Sequence, residues 1–205
     1  NLAVLPTFAT RWLMPRLSDF IQKHPGVTIN LATRLVPFDF GAEPFDAGIH
    51  YGSANWPGAV AYHLMDEETV PVCSPKLEAE QRIKKPADLT RTVLLHQTTR
   101  PEAWTEWFEM TNVKNAHALR GPRFEQFAMT AQAAICDLGV ALLPKILIED
   151  ELASGKLVML FDRSLRSANS YYLVVPEAKR SSLLPAAFTQ WIIGQAKMNN
   201  NPNHS

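Results

Sequence analysis

The order of strand-type and helix-type segments is the feature of this sequence that most restricts its fold. A short apolar run at residues 2–5 reaches Pro6, as a buried strand does before a turn. An amphipathic stretch follows as far as Lys23, and strand-type segments return at residues 27–31 and 45–52. This order predicts crossover units that feed a mainly parallel sheet covered by helices, which is an α/β fold.

The rest of the chain continues the alternation. Residues 68–75 form a strand pattern whose prolines indicate an edge or a crossover, so we expect the chain to change lobe there. Residues 127–135 are rich in helix formers, and Gly139 is a candidate for the glycine that ends this helix. Residues 140–144 then predict a buried strand, residues 171–175 another strand, and residues 184–197 a closing amphipathic helix.

Charge and hydropathy exclude several classes of function. Twenty basic residues balance twenty acidic ones, so this chain should not bind DNA by itself, because lysine and arginine supply most non-specific affinity for phosphate. No apolar run approaches the roughly 18 residues of a membrane span, and the first residues lack the order of a secretory signal. We therefore expect a cytoplasmic protein with no membrane partner. Cys73 and Cys136 lie among apolar residues, which predicts two small buried side chains and no disulfide.

An enzyme of this size is the first rival hypothesis, since an α/β fold by itself does not determine function. The sequence has no nucleophile elbow, phosphate-binding loop, zinc-protease motif or dinucleotide-binding glycine motif. Its six histidines occur singly along the chain. We therefore predict no catalytic residue, no metal site and no cofactor. A stand-alone solute-binding protein of a transporter is the second rival.

Short motifs in a fixed order make the chain resemble the effector-binding domains of LysR-type transcriptional regulators. The resemblance is greatest to the branch of the glycine-cleavage activator and the β-lactamase regulator AmpR. It extends from Leu2 to about Ala196. The motifs are LMPRLSDF at 13–20 with HP at 24–25, FDAGIHYG at 45–52, VCSP at 72–75, PADL at 86–89, GVALLP at 139–144 and LASGKLV at 152–158.

The resemblance implies a fold like that of type 2 periplasmic binding proteins, with two Rossmann-like lobes joined by two crossover strands. Lobe I then comprises residues 1–73 plus 177–205, and lobe II comprises residues 74–176. A winged helix-turn-helix DNA-binding domain is expected ahead of residue 1, outside this chain. A small effector, anionic or amino-acid-like, is expected in the cleft between the lobes, where doubly wound sheets bind ligands.

The resemblance also implies which residues of lobe I line the effector pocket. Thr7, Phe8, Ala9 and Thr10 follow the first strand and would offer hydroxyls and backbone amides, although a threonine at a helix start is equally a helix cap. Tyr171 matches a family tyrosine near the hinge, where its phenol would bond either a ligand or a crossing strand, while Tyr172 points to the other face.

Four further positions, two in each predicted lobe, leave alternatives open. Phe38 and Phe40 would form either an apolar lip over the cleft or a packing contact within their own lobe. Gln126 and Phe127 stand where AmpR has small hydroxyl residues, which argues against a large cell-wall fragment as the effector. Phe127 would close an apolar pocket or anchor its helix in the core.

His50 occupies a strand end at which many relatives carry arginine. An imidazole cannot reproduce the bidentate pairing of arginine with a carboxylate, so His50 would donate one hydrogen bond, make binding depend on pH, or serve a structural role.

The mechanism implied by the family is a change in the relative orientation of the lobes when the effector binds. Homodimers or tetramers would form through helices near residues 12–23 and 127–138. DNA would be bound only by the N-terminal domain that this chain lacks.

Overall fold

A computed structural model of the chain describes residues 1–114 and 117–199, which form two compact units. Unit 1 comprises Asn1–Glu67 and Ser167–Ser205, of which residues 200–205 are outside the described range, and unit 2 comprises Glu68–Arg166. Both boundaries lie earlier than those predicted at residues 73/74 and 176/177. The crossing strands, Ala59–Cys73 and Leu165–Pro176, are long, so the predicted boundaries fall at the ends of these strands and not at the points where the chain changes unit.

Unit 1 combines five strands, two of them only in part, with one long helical segment and a closing helix. Its elements are β1 (Leu2–Val4), α1 (Pro6–Phe8), a π-helical turn (Ala9–Leu13), α2 (Met14–Lys23), β2 (Leu31–Thr33), β3 (Ala47–Gly52), the first part of β4 (Ala59–Cys73), the last part of β9 (Leu165–Pro176), a 3-10 turn (Glu177–Lys179) and α7 (Leu183–Asn199).

The strand order in unit 1 is β2-β1-β3-β9-β4. Strand β1 is parallel to both β2 and β3, which confirms the crossover predicted from the sequence, and β9 runs antiparallel to β3. Helix α7 packs against α2, where the indole Nε1 of Trp191 donates to Asp19 Oδ2 at 2.8 Å and Phe20 meets Phe188 edge to face. Because β1, β2 and β3 run parallel, their carboxyl ends share one edge of the sheet.

The helix after β1 begins earlier than predicted and is not capped by a threonine. Its first residue is Pro6, the N-cap is Leu5, and no side chain caps it. The π-helical turn precedes Pro15, where the backbone amide of Met14 donates to the carbonyl of Ala9. A proline inside a helix lacks an N–H and clashes with the preceding turn, and the wider π turn relieves this conflict. The helix therefore continues through Pro15 to Lys23.

Unit 2 is built around strands that pair in both parallel and antiparallel directions. The remaining elements are α3 (Pro75–Gln81), a 3-10 turn (Pro86–Arg91), β5 (Leu94–Gln97), α4 (Ala103–Met110), β6 (Arg123–Phe124), α5 (Phe127–Ile135), β7 (Val140–Pro144), a 3-10 turn (Lys145–Leu147), α6 (Glu149–Ala153) and β8 (Val158–Met159). Strand β5 is parallel to both β6 and β7, whereas β4 is antiparallel to β7 and β8.

Both faces of the sheet in unit 2 are buried. Val140 and Leu142 point into a core that contains the three aromatic residues of α4, while Ala141 and Leu143 point into a second core formed with α5. A strand covered on both faces reads as a continuous apolar run, and that pattern predicted this strand correctly.

The end of α5 differs from its prediction. Asp137, not Gly139, takes the left-handed conformation after the helix, with φ of +62°. The carboxylate of Asp137 accepts a hydrogen bond from Ser74 Oγ and another from Lys76 Nζ at 2.8 Å, and these bonds hold its pKa below the usual range. Gly139 has another role, because a Cβ there would lie 2.4 Å from the carbonyl oxygen of Val93.

The two cysteines are free thiols in different environments. Cys73 is buried as predicted, and the loss of solvent raises the pKa of its thiol to about 12, which keeps it protonated and unreactive. Cys136 is exposed near the end of α5, so its prediction as a buried residue was wrong. Within residues 1–114 and 117–199, no helix is both long enough and apolar enough to span a membrane.

Candidate functional site

The carboxyl end of β1 leads directly into the start of a helix. Thr7, Phe8 and Ala9 are buried, whereas Thr10 is exposed. The hydroxyl of Thr10 lies 3.3 Å from the carbonyl oxygen of Pro6 and 3.2 Å from that of Thr7, so it donates inward and leaves its oxygen as an acceptor. No side chain caps the helix, and its first amides point toward this edge of the sheet. Of the four predicted residues, Thr10 alone presents its side chain to solvent.

Tyr171 lies beneath this helix start, on one face of the sheet of unit 1. Its ring stacks on Phe8 with centroids 5.1 Å apart and also contacts Tyr51 at 5.2 Å. Its phenol donates to Glu67 Oε2 at 2.6 Å, and both side chains are almost fully buried. Of the two roles predicted for the phenol, the structure shows the bond to a crossing strand.

His50 and Phe38 lie on the opposite face of the same sheet. His50 pairs with Tyr172 across β3 and β9, and its ring contacts Trp56 at a centroid distance of 4.7 Å. Phe38 packs against Trp56 at 5.2 Å and against its neighbour Phe40, which is the packing within its own lobe that the sequence left open. Neighbouring residues of a strand point to opposite faces, so the structure does not group His50 and Phe38 with Tyr171.

Only part of the hydrogen-bonding capacity of the His50 imidazole is used. Its Nε2 atom is buried and has no hydrogen-bond partner among the described residues. Burial lowers the pKa of His50, and a hydrogen bond with the backbone of Tyr51 opposes this shift only in part. The ring is therefore a neutral, largely enclosed group near pH 7.

We expect the two enclosed histidines, His50 and His96, to make the protein less stable as the pH falls below about 6.5. Burial lowers the pKa of each, and in His96 the hydrogen bond with the carbonyl of Arg120 opposes this shift in part. As the pH falls, these histidines bind protons in the unfolded chain before they do so in the folded protein. The unfolded population therefore grows between the pKa of the unfolded state and the lower pKa of the folded state.

Urea unfolding at pH 7.5 and pH 5.5 measures this loss of stability. His96→Gln, which retains a side-chain donor for the carbonyl of Arg120, should lose less stability between the two pH values than the wild type. An equal loss in both proteins would refute the contribution of His96.

In unit 2, Gln126 and Phe127 mark the start of α5. Gln126 is the N-cap residue, but its side chain makes no capping hydrogen bond. Phe127 is partly buried against the core formed with α5, and the guanidinium carbon of Arg100 lies 5.6 Å from the centroid of its ring. The structure therefore gives Phe127 a core contact and a cationic neighbour.

The sequence prediction missed three polar residues that the structure brings to these two places. Glu67 is buried against Tyr171, while Gln97 is the last residue of β5 and Arg100 lies in the loop after it, next to the start of α5. Arg100 comes shortly after an apolar strand, as Thr7 to Thr10 do, so a search of the residues that follow each strand would have included it. The bond of Glu67 depends on pairing between distant strands.

A cavity of about 300 Å³ lies at the opposite edge of the sheet of unit 1. Its walls include Phe20, Ile29 and Phe188, and the ion pair of Lys179 with Asp46 lies at its side. None of the predicted site residues lines it. Among the described residues, no group of three or more His, Cys, Asp or Glu side chains is placed to share a metal ion.

Comparison with known proteins identifies relatives across nearly the whole chain. Residues 1–197 match the family described as the LysR substrate binding domain. The glycine cleavage system transcriptional activator of Escherichia coli K12 is 37% identical over 197 residues, which are 96% of this chain and 64% of that protein. The transcriptional activator AmpR of Rhodobacter capsulatus is 33% identical, over 96% of this chain and 66% of its own length.

Solved structures agree with these sequence matches. The effector domain of AmpR from Pseudomonas aeruginosa superposes with a TM-score of 0.87 at 28% identity, covering 97% of this chain and 95% of that chain. The effector-binding domain of AmpR from Citrobacter freundii gives a TM-score of 0.86 at 26% identity, covering 96% and 97%. The fold is therefore the two-lobed α/β fold of these effector domains, which is like that of periplasmic binding proteins. The matched relatives are transcriptional regulators rather than enzymes.

Proposed function

Because the chain belongs to the LysR substrate-binding domain family, we propose that it is the effector-binding and dimerisation part of a LysR-type transcriptional regulator. The chain spans 64% of the length of the Escherichia coli activator, so DNA binding belongs to the remaining part of such a regulator. LysR-family regulators bind small effectors, form oligomers and bind DNA through an N-terminal domain. A location in the bacterial cytoplasm, where transcription is regulated, is part of the same proposal.

The effector is a small anion or an amino-acid-like molecule, bound at the carboxyl ends of the parallel strands. The observation that carries this proposal is the start of the helix after β1, which has no side-chain cap and lies at that edge of the sheet. Helix N-termini bind anions through backbone amides and the helix dipole. Thr7, Phe8 and Ala9 are buried, so they contribute through the backbone, while Thr10 contributes its hydroxyl.

The remaining predicted residues keep more limited roles in this proposal. Gln126 and Phe127 contribute the corresponding helix start in unit 2. Tyr171 positions the helix start by stacking on Phe8. His50 and Phe38 lie on the other face of the sheet, and their role as ligand contacts stays a prediction.

Regulation follows when the effector binds one relative orientation of the two units more tightly than another. A ligand shifts such an equilibrium only by its differential affinity for the two states. The shift then changes how the regulator presents its DNA-binding domains.

A second copy of this chain is the proposed occupant of two exposed apolar stripes. On α2, Met14 is 50% exposed and Ile21 is 43% exposed; near α5, Met129 is 51% exposed and Leu138 is 56% exposed. Contiguous exposed apolar surface typically marks an interaction site, and symmetric homodimers are the commonest oligomers. Sedimentation should show dimers or tetramers, and a chain that stays monomeric at high concentration would contradict this part of the proposal.

A thermal-shift screen over amino acids and small carboxylates tests the proposed function. A ligand at 100 times its dissociation constant stabilises the folded protein by about 2.7 kcal/mol, which raises the melting temperature of a chain of this size by roughly 5–10 °C. Thr10→Val should reduce that shift. Thr28→Val, an exposed threonine that precedes β2 at the other edge, is the matched control and should not. The effector proposal fails if no compound stabilises the protein, or if Thr10→Val and Tyr171→Phe both leave the affinity unchanged.

A further inference from the structure

The cavity of about 300 Å³ in unit 1 has mainly apolar walls and lies away from the proposed effector site. Leu2 and Ala47, which pair with each other where β1 and β3 begin, both line it. The effector proposal uses the carboxyl ends of these strands. The cavity is therefore a separate place in the fold, at the opposite edge of the sheet.

The walls of this cavity are held in place by the packing of unit 1. Leu2 and Phe20 are almost fully buried, and the amide of Leu2 donates to the carbonyl of Asn30 at 2.8 Å. The ring of Phe20 meets that of Phe188 edge to face, with centroids 5.3 Å apart, and contacts Trp191 at 5.2 Å. A preformed site loses little conformational freedom on binding, and an apolar ligand gains by displacing water that apolar walls cannot hydrogen-bond.

The volume of the cavity sets the size of its ligand. An apolar cavity of roughly 150 Å³ in another protein binds benzene, so twice that space suits a molecule of about two fused rings. Leu184 lines the cavity and is 48% exposed, which shows that the cavity reaches the surface and that a ligand can enter it.

Lys179 supplies a hydrogen-bond donor at the wall. Its Nζ donates to Asp46 Oδ1 at 2.6 Å and to the carbonyl of Phe45 at 3.1 Å, so one of the three ammonium protons remains for a ligand. Partial burial opposes ionisation of Asp46, but hydrogen bonds from Lys179 and from the nitrogen of Asn1 lower its pKa. Asp46 thus neutralises Lys179, and a charged ligand would lack a counter-charge here.

We propose that this cavity is a second small-molecule site, which takes an uncharged, mainly apolar molecule of about two fused rings that accepts a hydrogen bond from Lys179. The ligand lies against Phe20 of α2 and Phe188 of α7 and stabilises the packing of these two helices. The proposal does not depend on the effector site, because it uses none of the residues predicted there and a different class of ligand.

The test follows the δ1-methyl resonance of Ile29, which lines the cavity, in the methyl-labelled chain; its loss in Ile29→Val identifies it. The probes are 1-indanone and coumarin, which are uncharged and bicyclic and carry a carbonyl. Indane lacks the carbonyl, and indane-2-carboxylate adds a charge. At least one carbonyl probe should shift the resonance saturably and bind more tightly than indane and the carboxylate. The proposal is overturned if neither carbonyl probe does so, or if the carboxylate binds most tightly.

Lys179→Met tests the donor. It should weaken binding of the carbonyl probe roughly three- to tenfold, the effect of losing one hydrogen bond, and leave indane binding unchanged. Lys23→Met is the matched control, because Lys23 is an exposed lysine of the same unit that pairs with Asp19 at 2.9 Å. It should bind both probes as the wild type does. Unchanged binding of the carbonyl probe in Lys179→Met would overturn the role of Lys179.

Val27→Trp tests the cavity itself, because Val27 is a half-buried residue of its wall and the larger side chain should fill the space and abolish binding of both probes. Val36→Trp, at a position of unit 1 that is 70% exposed and outside the cavity, should bind normally. A Val27→Trp protein that keeps the wild-type urea midpoint and still binds the probes would refute the location. If no amino acid or carboxylate stabilises the protein in the thermal-shift screen, the effector proposal fails and this one stands.

Discussion

Replacing Gly121 with alanine should destabilise the chain by about 3–5 kcal/mol, the range of the most damaging single substitutions. Gly121 has φ of +142°, and a Cβ at this position would lie 1.9 Å from the carbonyl oxygen of Leu94. Backbone cannot yield as the end of a flexible side chain does, so β5 would have to move within the sheet of unit 2. The loops after β5 and β6 that carry Arg100 and Gln126 would move with it.

Gly194→Ala is the control for Gly121→Ala. Gly194 lies inside α7, and nothing lies within 4 Å of the Cβ that alanine would add. Alanine is a better helix former than glycine, so this variant should gain about 0.5–1 kcal/mol. Urea denaturation compares both variants with the wild type. A Gly121→Ala protein with the wild-type unfolding midpoint would contradict the close approach of this segment to β5.

Trp107→Ala should cost about 3–5 kcal/mol of unfolding free energy, as is typical when a large aromatic side chain is removed from a core. Trp107 is fully buried, and its ring lies within 5.8 Å of those of Trp104 and Phe161, measured between centroids. Its indole Nε1 is buried without a hydrogen-bond partner among the described residues.

Trp107→Phe separates ring packing from the unsatisfied indole N–H. Phenylalanine keeps part of the ring contact and removes a buried donor that has no partner, so we expect it to lose less than half as much stability as alanine. Guanidinium denaturation measures both variants. Equal losses for phenylalanine and alanine would contradict the expectation that the retained ring contact stabilises this core.

The order of the elements was predictable because it depends on local patterns. The apolar runs at residues 2–5 and 140–144 are strands in the structure, and the segment between β1 and β2 is the expected helix. Its start was predicted wrongly because Thr7 and Thr10 are both suitable caps, whereas the observed N-cap is Leu5. Propensity could not distinguish a helix that begins at Pro6 from one that begins after a threonine.

The grouping of the site residues was less predictable because it depends on register between distant strands. The alternation of Tyr171 and Tyr172 between faces was expected, but which of them shares a face with His50 depends on the pairing of β3 with β9. The bond between Tyr171 and Glu67 likewise joins residues far apart in sequence. Periodicity assigns a residue to a face of its own strand and does not determine its partners.

The central claim is that effector binding changes the relative orientation of the two units, and a distance measured between them tests it most directly. Spin labels at Leu183→Cys in unit 1 and Glu109→Cys in unit 2 occupy exposed positions. Cys136 is replaced by serine because it is exposed, whereas buried Cys73, whose pKa is raised to about 12, needs no replacement. Dilution with unlabelled chain removes distances between copies.

Double electron–electron resonance then gives the distance distribution with and without a saturating stabiliser from the thermal-shift screen. We predict that the ligand moves the main distance and that Thr10→Val requires more ligand for the same change. A ligand that stabilises the protein but leaves the distribution unchanged would contradict the claim.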